Sequence, residues 1–317
     1  VGTQMKATGE VMAIDRSFEA AFQKAVRSLE ITNRSLLWER PEWDGAAGLD
    51  GGGLAPNDER LWALMSALRR GVEPEELSRA TGIDPWFTRA FGRIASVERR
   101  LLSEFLDEGL LWEAKRMGFS DQKVAALTDR TPEQVRGLRR QWGMTPVYKM
   151  VDTCAAEFEA QTPYFYSTYE QENEALPLEA DKAIVIGSGP IRIGQGIEFD
   201  YCSVHAAWAL QAEGIKSVMV NSNPETVSTD FDTSDRLYFE PLDEESLRDI
   251  LENEASAQPS VQHVEPQIPP TVVQFGGQTA ITLSQPLDRA LMPILGSTAR
   301  SIDTASDRHL FEEFLSR

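Results

Sequence analysis

The sequence is short of the residues from which metal and redox sites are made. Its 317 residues include two cysteines, Cys154 and Cys202, and three histidines, His205, His263 and His309, with no CxxC or HExxH spacing. A zinc or disulfide-exchange centre has little to be built from. Two cysteines so far apart frame no disulfide scaffold, and no apolar leader-like run opens the chain, so a reduced, cytoplasmic setting is expected. No stretch approaches the roughly 18–20 apolar residues that cross a bilayer, which excludes a helical membrane span. Positive charge is also scarce: 31 Lys and Arg face 50 Asp and Glu, a net charge of −19. That sign disfavours a protein that works by neutralising phosphate backbones, so no nucleic-acid partner is expected. A GxxxxGK[ST] string is missing as well, and with it the P-loop.

What is present suggests about two domains at roughly 150 residues each. Ser17 precedes FEAAFQKAVRSLE, in which Phe18, Phe22, Ala25 and Leu29 recur at helical spacing, so a capped helix is predicted over 18–30, with QMKATGEVMAI before it as a strand. Residues 39–57 are Gly-rich and read as a linker. From 58 to 145 the pattern is helical throughout. Leu61, Leu64, Met65 and Leu68 make one apolar face that stops at Gly71, and Val97, Leu101 and Phe105 make another. Thr131, Pro132 and Gln134 spell a capping box for a helix ending at Gly143. An aromatic-rich connector containing Tyr148, Phe158, Tyr164, Phe165, Tyr166 and Tyr169 follows.

From Ala183 onward, short apolar runs alternate with helical ones. KAIVIGS, KSVMVNSN, RLYFEP, TVVQFGG and PILGS read as strands, and FDYCSVHAAWALQAEG and EESLRDILENEA as helices, the pattern of a parallel sheet with crossovers. The Pro- and Gln-rich 255–270 reads as a surface loop. The chain starts at Val1 and stops within DRHLFEEFLSR, still an amphipathic helix, so a fragment is expected.

The first strand of this part runs into GSGPIRIGQGIEFDYC, a glycine-rich turn before a helix, which could bring backbone N–H groups to an anion. A dinucleotide site would want glycine at the sixth place of GxGxxG, where Arg192 stands, and an acid where the second strand ends in Asn221 and Asn223. The glycines can equally serve a tight strand-to-helix corner, with Arg192 paired to Glu198. GGQT at 276–279 and the Asn and Glu of NSNPETVSTD can likewise end a strand or hold a loop. His205, on the helix that follows the turn, reads as a packed residue rather than a base.

Four runs, GSGPIRIGQGIEFDYCSVHAAWAL, VNSNPETVSTDFDTSDRLYFEP, VVQFGGQTA and VYKMVDTCAAEFEAQTPYFYSTYEQENEA, together resemble the large subunit of carbamoyl phosphate synthetase. The resemblance implies a fold of α/β plus all-α type, a helical oligomerisation module followed by a Rossmann-like parallel-sheet pre-ATP-grasp subdomain. It assigns 1–38 to the end of the first ATP-grasp half, 39–57 to a linker and 58–150 to the oligomerisation domain. It makes 151–180 a connector, 181–300 the pre-ATP-grasp subdomain of the second half, and 301–317 the start of a truncated ATP-grasp domain. It implies an ATP-dependent ligase that makes carbamoyl phosphate from bicarbonate, glutamine-derived ammonia and two ATP for arginine and pyrimidine biosynthesis, with a glutaminase small subunit and a homo-oligomer as partners.

ATP and Mg belong to the parent enzyme, because the family's E-x-N-P-R segment has no counterpart here; NSNPET lacks both the preceding Glu and the Arg. No catalytic, cofactor-binding or metal residue is expected, and the chain alone should be inactive. Arg192, Gly196, Glu198 and Glu225 match positions that line the family's internal carbamate passage, although each charged one could instead be a buried ion-pair partner. Two rivals stand beside this reading. A helix-turn-helix DNA-binding regulator is suggested by EELSRATGIDPWF and SDQKVAALTDRTPEQVRGLRRQW, but 58–145 hold 15 basic and 14 acidic residues and no basic footprint. An NAD-dependent oxidoreductase rests on the glycine turn alone.

Overall fold

A computed structural model describes residues 3, 7, 9–31, 34–44, 53–192, 197–255 and 267–316. The chain divides into two compact units, Asp15–Thr145 and Val1–Ile14 together with Pro146–Arg317.

The Asp15–Thr145 unit is helical. Helix α1 spans Phe18–Ser28, and its Ser17 side chain accepts from the Ala20 N–H as the sequence predicts. Then come α2 (Arg60–Arg69), α3 (Pro74–Thr81), α4 (Pro85–Ser103), α5 (Glu108–Arg116), α6 (Asp121–Leu127) and α7 (Pro132–Gln141). Side chains cap most starts: Asp84 on α4, Asp107 on α5, Ser120 on α6, and the predicted Thr131–Gln134 box on α7. Each cap supplies an acceptor for an N–H that has none inside the helix. The core joins Leu64, Met65 and Leu68 to Ile94, Val97, Leu101, Leu111, Val124 and Val135. Phe105 does not extend the 97–101 face: α4 ends at Ser103 and the ring is 82% exposed. Helix α1 packs within this unit, which begins at Asp15. Gly118, at φ +85°, allows that packing, because a Cβ there would lie 2.6 Å from the Cα of Ala20.

The other unit is built on a six-stranded sheet: β1 (Val147–Met150), β2 (Tyr164–Thr168), β3 (Lys182–Ile186), β4 (Lys216–Asn221), β5 (Arg236–Phe239) and β6 (Thr271–Val272), in the order β1-β2-β5-β4-β3-β6. Only β1 and β2 pair antiparallel. Strand β3 is buried along its whole length, so its apolar run serves two faces. Ile184 and Ile186 point to the side of α9 (Glu244–Asn253), with Leu247, Ile250 and Leu251, while Ala183 and Val185 meet Ala207 and Leu210 of α8 (Glu198–Ala212). Each fully buried Leu or Ile contributes about 1.5–3 kcal/mol. Helices α10 (Gly277–Thr282), α11 (Ser284–Arg289), α12 (Ala299–Ser306) and α13 (Arg308–Leu315) complete the unit. At the amino ends of β3 and β5, the wholly buried Glu254 carboxylate accepts from Arg236, Lys182 and the Tyr238 hydroxyl, locking the end of α9 to those strands.

Three expectations change. The connector is not free of regular structure, because 164–168 form β2, which pairs in parallel with β5 some seventy residues later. Residues 9–15 form no strand; instead the Met12 N–H donates to the Ser222 carbonyl at 2.9 Å, and Met12 and Ile14 pack on the α8 side of the sheet. PILGS is reduced to a single bridge between Ile294 and Thr271. Of the 255–270 loop, 256–266 lie outside the described residues, as do 45–52 of the linker.

Candidate functional site

Strand β3 has β4 on one side and β6 on the other, so the chain reverses direction across the sheet at β3. The carboxyl ends at such a reversal form the crevice where open α/β sheets bind ligands. Three loops meet there: 187–192 after β3, 222–226 after β4, and 273–277 after β6. Their glycines are needed for close approach. A Cβ on Gly187 would stand 2.6 Å from the Asn221 side chain, and one on Gly276 would fall on the Gly187 carbonyl.

Asn221, fully buried, closes the turn. Its Oδ1 accepts from the Gly189 N–H at 3.1 Å and the Ser222 N–H at 2.8 Å, while its Nδ2 donates to the Ser228 hydroxyl at 2.9 Å. Asn223 Nδ2 donates to the Gly189 carbonyl at 3.3 Å, and its Oδ1 accepts from the Glu225 N–H at 3.0 Å. The two asparagines therefore hold loops, one of the roles open to them in the sequence. Their bonds engage the Gly189 N–H that a dinucleotide pyrophosphate would use.

Arg192 ends the first loop and reaches the Thr279 hydroxyl of α10 at 3.5 Å. Glu225 stands exposed on the second loop and Glu198 exposed at the start of α8. The 187–192 and 222–226 loops are thus tied to each other, which sets Arg192 and Glu225 on neighbouring segments. Gly196 lies outside the described residues. Glu10 was not singled out in the sequence: its carboxyl is pushed above the usual carboxylate range, first by a hydrogen bond with Glu225 and then by that group's charge. Its only signal was membership of GEVM, within the predicted strand. Asp200, also missed, sits buried in the first turn of α8; its Oδ2 accepts from the Ser228 N–H at 3.3 Å and its Oδ1 has no protein partner.

His205 departs from its expected packed state. It is exposed on α8 between Tyr201 and Trp208, with ring centroids 4.2 and 5.2 Å away. Among the described residues no three His, Cys, Asp or Glu side chains are grouped to hold a metal. No helix among them is long and apolar enough to cross a membrane.

This arrangement defines an α/β domain of doubly wound type whose glycine turn is closed by its own asparagines, accompanied by a helical bundle. Residues 179–304 match the carbamoyl phosphate synthase preATP-grasp domain, and 10–143 match the oligomerisation domain of the carbamoyl-phosphate synthetase large chain. The carbamoyl phosphate synthase large chain of Thermomicrobium roseum is 58% identical over 99% of this chain and 29% of its own length. That of Thermoanaerobacter pseudethanolicus is 50% identical over 99% of this chain and 28% of its own, and that of Clostridium botulinum 48% over 100% and 29%. The chain belongs to the carbamoyl phosphate synthase large chain family and spans less than a third of the length of these relatives.

Proposed function

We propose that the chain is the stretch of a carbamoyl phosphate synthase large chain that joins its two synthetase halves, and that it contributes subunit association and part of a carbamate passage rather than a nucleotide site. Residues 1–38 close the first half, 58–150 associate subunits, 181–300 open the second half, and 301–317 begin its ATP-grasp portion. The whole protein makes carbamoyl phosphate in the cytoplasm from bicarbonate, ammonia released by a glutaminase small subunit, and ATP held with Mg by segments outside this chain.

The observation that carries the passage is a pair of hydrogen bonds, one from the Gly189 N–H to Asn221 and one from Asn223 to the Gly189 carbonyl. It draws the Arg192 and Glu225 loops together at the carboxyl ends of β3 and β4, where Glu10 meets Glu225. Carbamate is short-lived in water, and a polar conduit walled off from solvent limits its loss. Arg192, Gly196, Glu198 and Glu225 line that wall. The test is Glu225→Leu in the full-length enzyme. Bicarbonate-dependent ATP hydrolysis, and ATP formation from carbamoyl phosphate and ADP, should stay within about threefold, while overall synthesis falls more than tenfold and more ATP is consumed per product. A uniform fall in all three rates would reject the passage.

A further inference from the structure

Three segments carry the charged residues proposed for the passage, and the asparagines join two of them. Asn221 and Asn223 tie the 187–192 loop, with Arg192, to the 222–226 loop, with Glu225. Glu198 stands on the third segment, at the start of α8. What fastens α8 to the second loop is Asp200, two residues further on and only 2% exposed. Its Oδ2 accepts from the Ser228 N–H at 3.3 Å, and its Oδ1 meets no donor among the described residues. An acid in the first turn of a helix ordinarily complements that helix's own free N–H groups. Asp200 instead reaches across to another element, although α8 has no side-chain cap at its start. The Ser228 hydroxyl in turn accepts from Asn221 Nδ2 at 2.9 Å, so one chain of bonds runs from α8 through Ser228 and Asn221 to the Gly189 N–H. The loop also holds itself: the Thr229 hydroxyl donates to the Thr226 carbonyl at 2.7 Å, and the Thr233 hydroxyl to the Val227 carbonyl at 2.6 Å. Satisfied networks of this kind rigidify a segment, so the tie at Ser228 sets where Glu225, on the same loop, stands relative to α8.

We propose that Asp200 is a positioning residue for the passage. By holding the Ser228 N–H it sets the separation between Glu198 and Glu225, and through Ser228 and Asn221 it locks α8 to the turn that ends in Arg192. Asp200 is itself buried and acts through these residues. This rests on the passage reading above, which assigns Arg192, Glu198 and Glu225 to the wall.

The experiment is a double-mutant cycle in the full-length enzyme, with ATP consumed per carbamoyl phosphate formed as its readout. Asp200→Ala should raise that ratio about threefold or more, while bicarbonate-dependent ATP hydrolysis, and ATP formation from carbamoyl phosphate and ADP, each stay within about threefold of the natural enzyme. Asp200→Asn keeps an oxygen for the Ser228 N–H and should bring the ratio back close to its natural value. In a Glu225→Leu background, Asp200→Ala should add little, because the loop it holds no longer bears the wall residue. An unchanged ratio in Asp200→Ala, a uniform fall in its overall and partial rates, equal uncoupling by Asp200→Asn, or additive effects of the two substitutions would each overturn the proposal. If Asp200→Ala fails to accumulate as soluble protein, Asp200→Ser withdraws the acceptor while keeping a polar group, and the same outcomes decide. Glu225→Leu alone separates the two readings. If it lowers all three rates together, the passage reading falls; if it raises the ratio and Asp200→Ala does not, the positioning role alone falls.

Discussion

Lys123 on α6 sits in a buried ionic node. Its Nζ lies 2.7 Å from Glu98 of α4 and 2.8 Å from Gln23 of α1, over the Phe119 ring, while Arg69 of α2 grips the same Glu98 and Glu39. Burial pushes the Lys123 ammonium down to about 8 against Glu98, which acts to raise it. Burial likewise pushes the Glu98 carboxyl up, but Lys123 and Arg69 more than offset this and hold it below the usual range. The signs follow by linkage. Between pH 8 and 10.5 the unfolded chain binds the Lys123 proton and the folded one does not, so stability rises with pH there, by at most about 3 kcal/mol. The Glu98 contribution is present above the ordinary carboxylate range and lost as pH falls through its depressed value. Six of the seven tryptophans lie in 15–145, so tryptophan emission during urea unfolding reads this unit. Its midpoint should climb from pH 8 to 10, and Lys123→Met should flatten that climb; an equal slope in the variant would remove Lys123 from the account. At this same scale Arg192 and Glu225, the charged residues proposed for the passage, were legible from the resemblance, whereas Glu10 was not. Its meeting with Glu225 spans more than two hundred residues, and no local pattern encodes such a contact.

Elements announced by caps and stops were readable. The Thr131 box, the Ser17 cap and Gly143 at φ +68° bound their helices as the sequence implies, because each satisfies its own terminus locally. Strand β2 was hidden, since its partner β5 is distant and its aromatics, Tyr164, Phe165 and Tyr166, suit a connector as well as a sheet. Conversely PILGS has strand composition but pairs through one bridge, having only the short β6 to lie against. Two glycines test how elements meet. Gly118→Ala must strain a left-handed backbone and push α1 away, and should cost roughly 2–4 kcal/mol by the steric and backbone terms together. Gly137, inside α7 with nothing within 4 Å of where a Cβ would stand, should instead gain about 0.5–1 kcal/mol as Gly137→Ala. The urea midpoint of tryptophan emission reads both, and shifts of the same sign would contradict the packing described for α1.

At the scale of the molecule, a purified 317-residue chain supplied with bicarbonate, ammonia and ATP should release no carbamoyl phosphate above background. It contains no E-x-N-P-R segment, and among its described residues no grouped acids to hold a metal. Product measured by trapping as citrulline would refute this.

The sequence by itself determined the two-part character of the chain, helical before 145 and alternating strand and helix from 183, because hydrophobic periodicity and capping act over a few residues. It also determined the family, since long runs carry that resemblance. Tertiary structure alone decided that α1 joins the helical unit, that β1 and β2 extend the sheet, and that Asn221 and Asn223 shut the glycine turn. It alone decided that Asp200 reaches across from α8 to the Ser228 N–H. These outcomes depend on which distant segments bury one another and which buried polar atoms they must satisfy, and such pairings exist only once the chain has closed on itself.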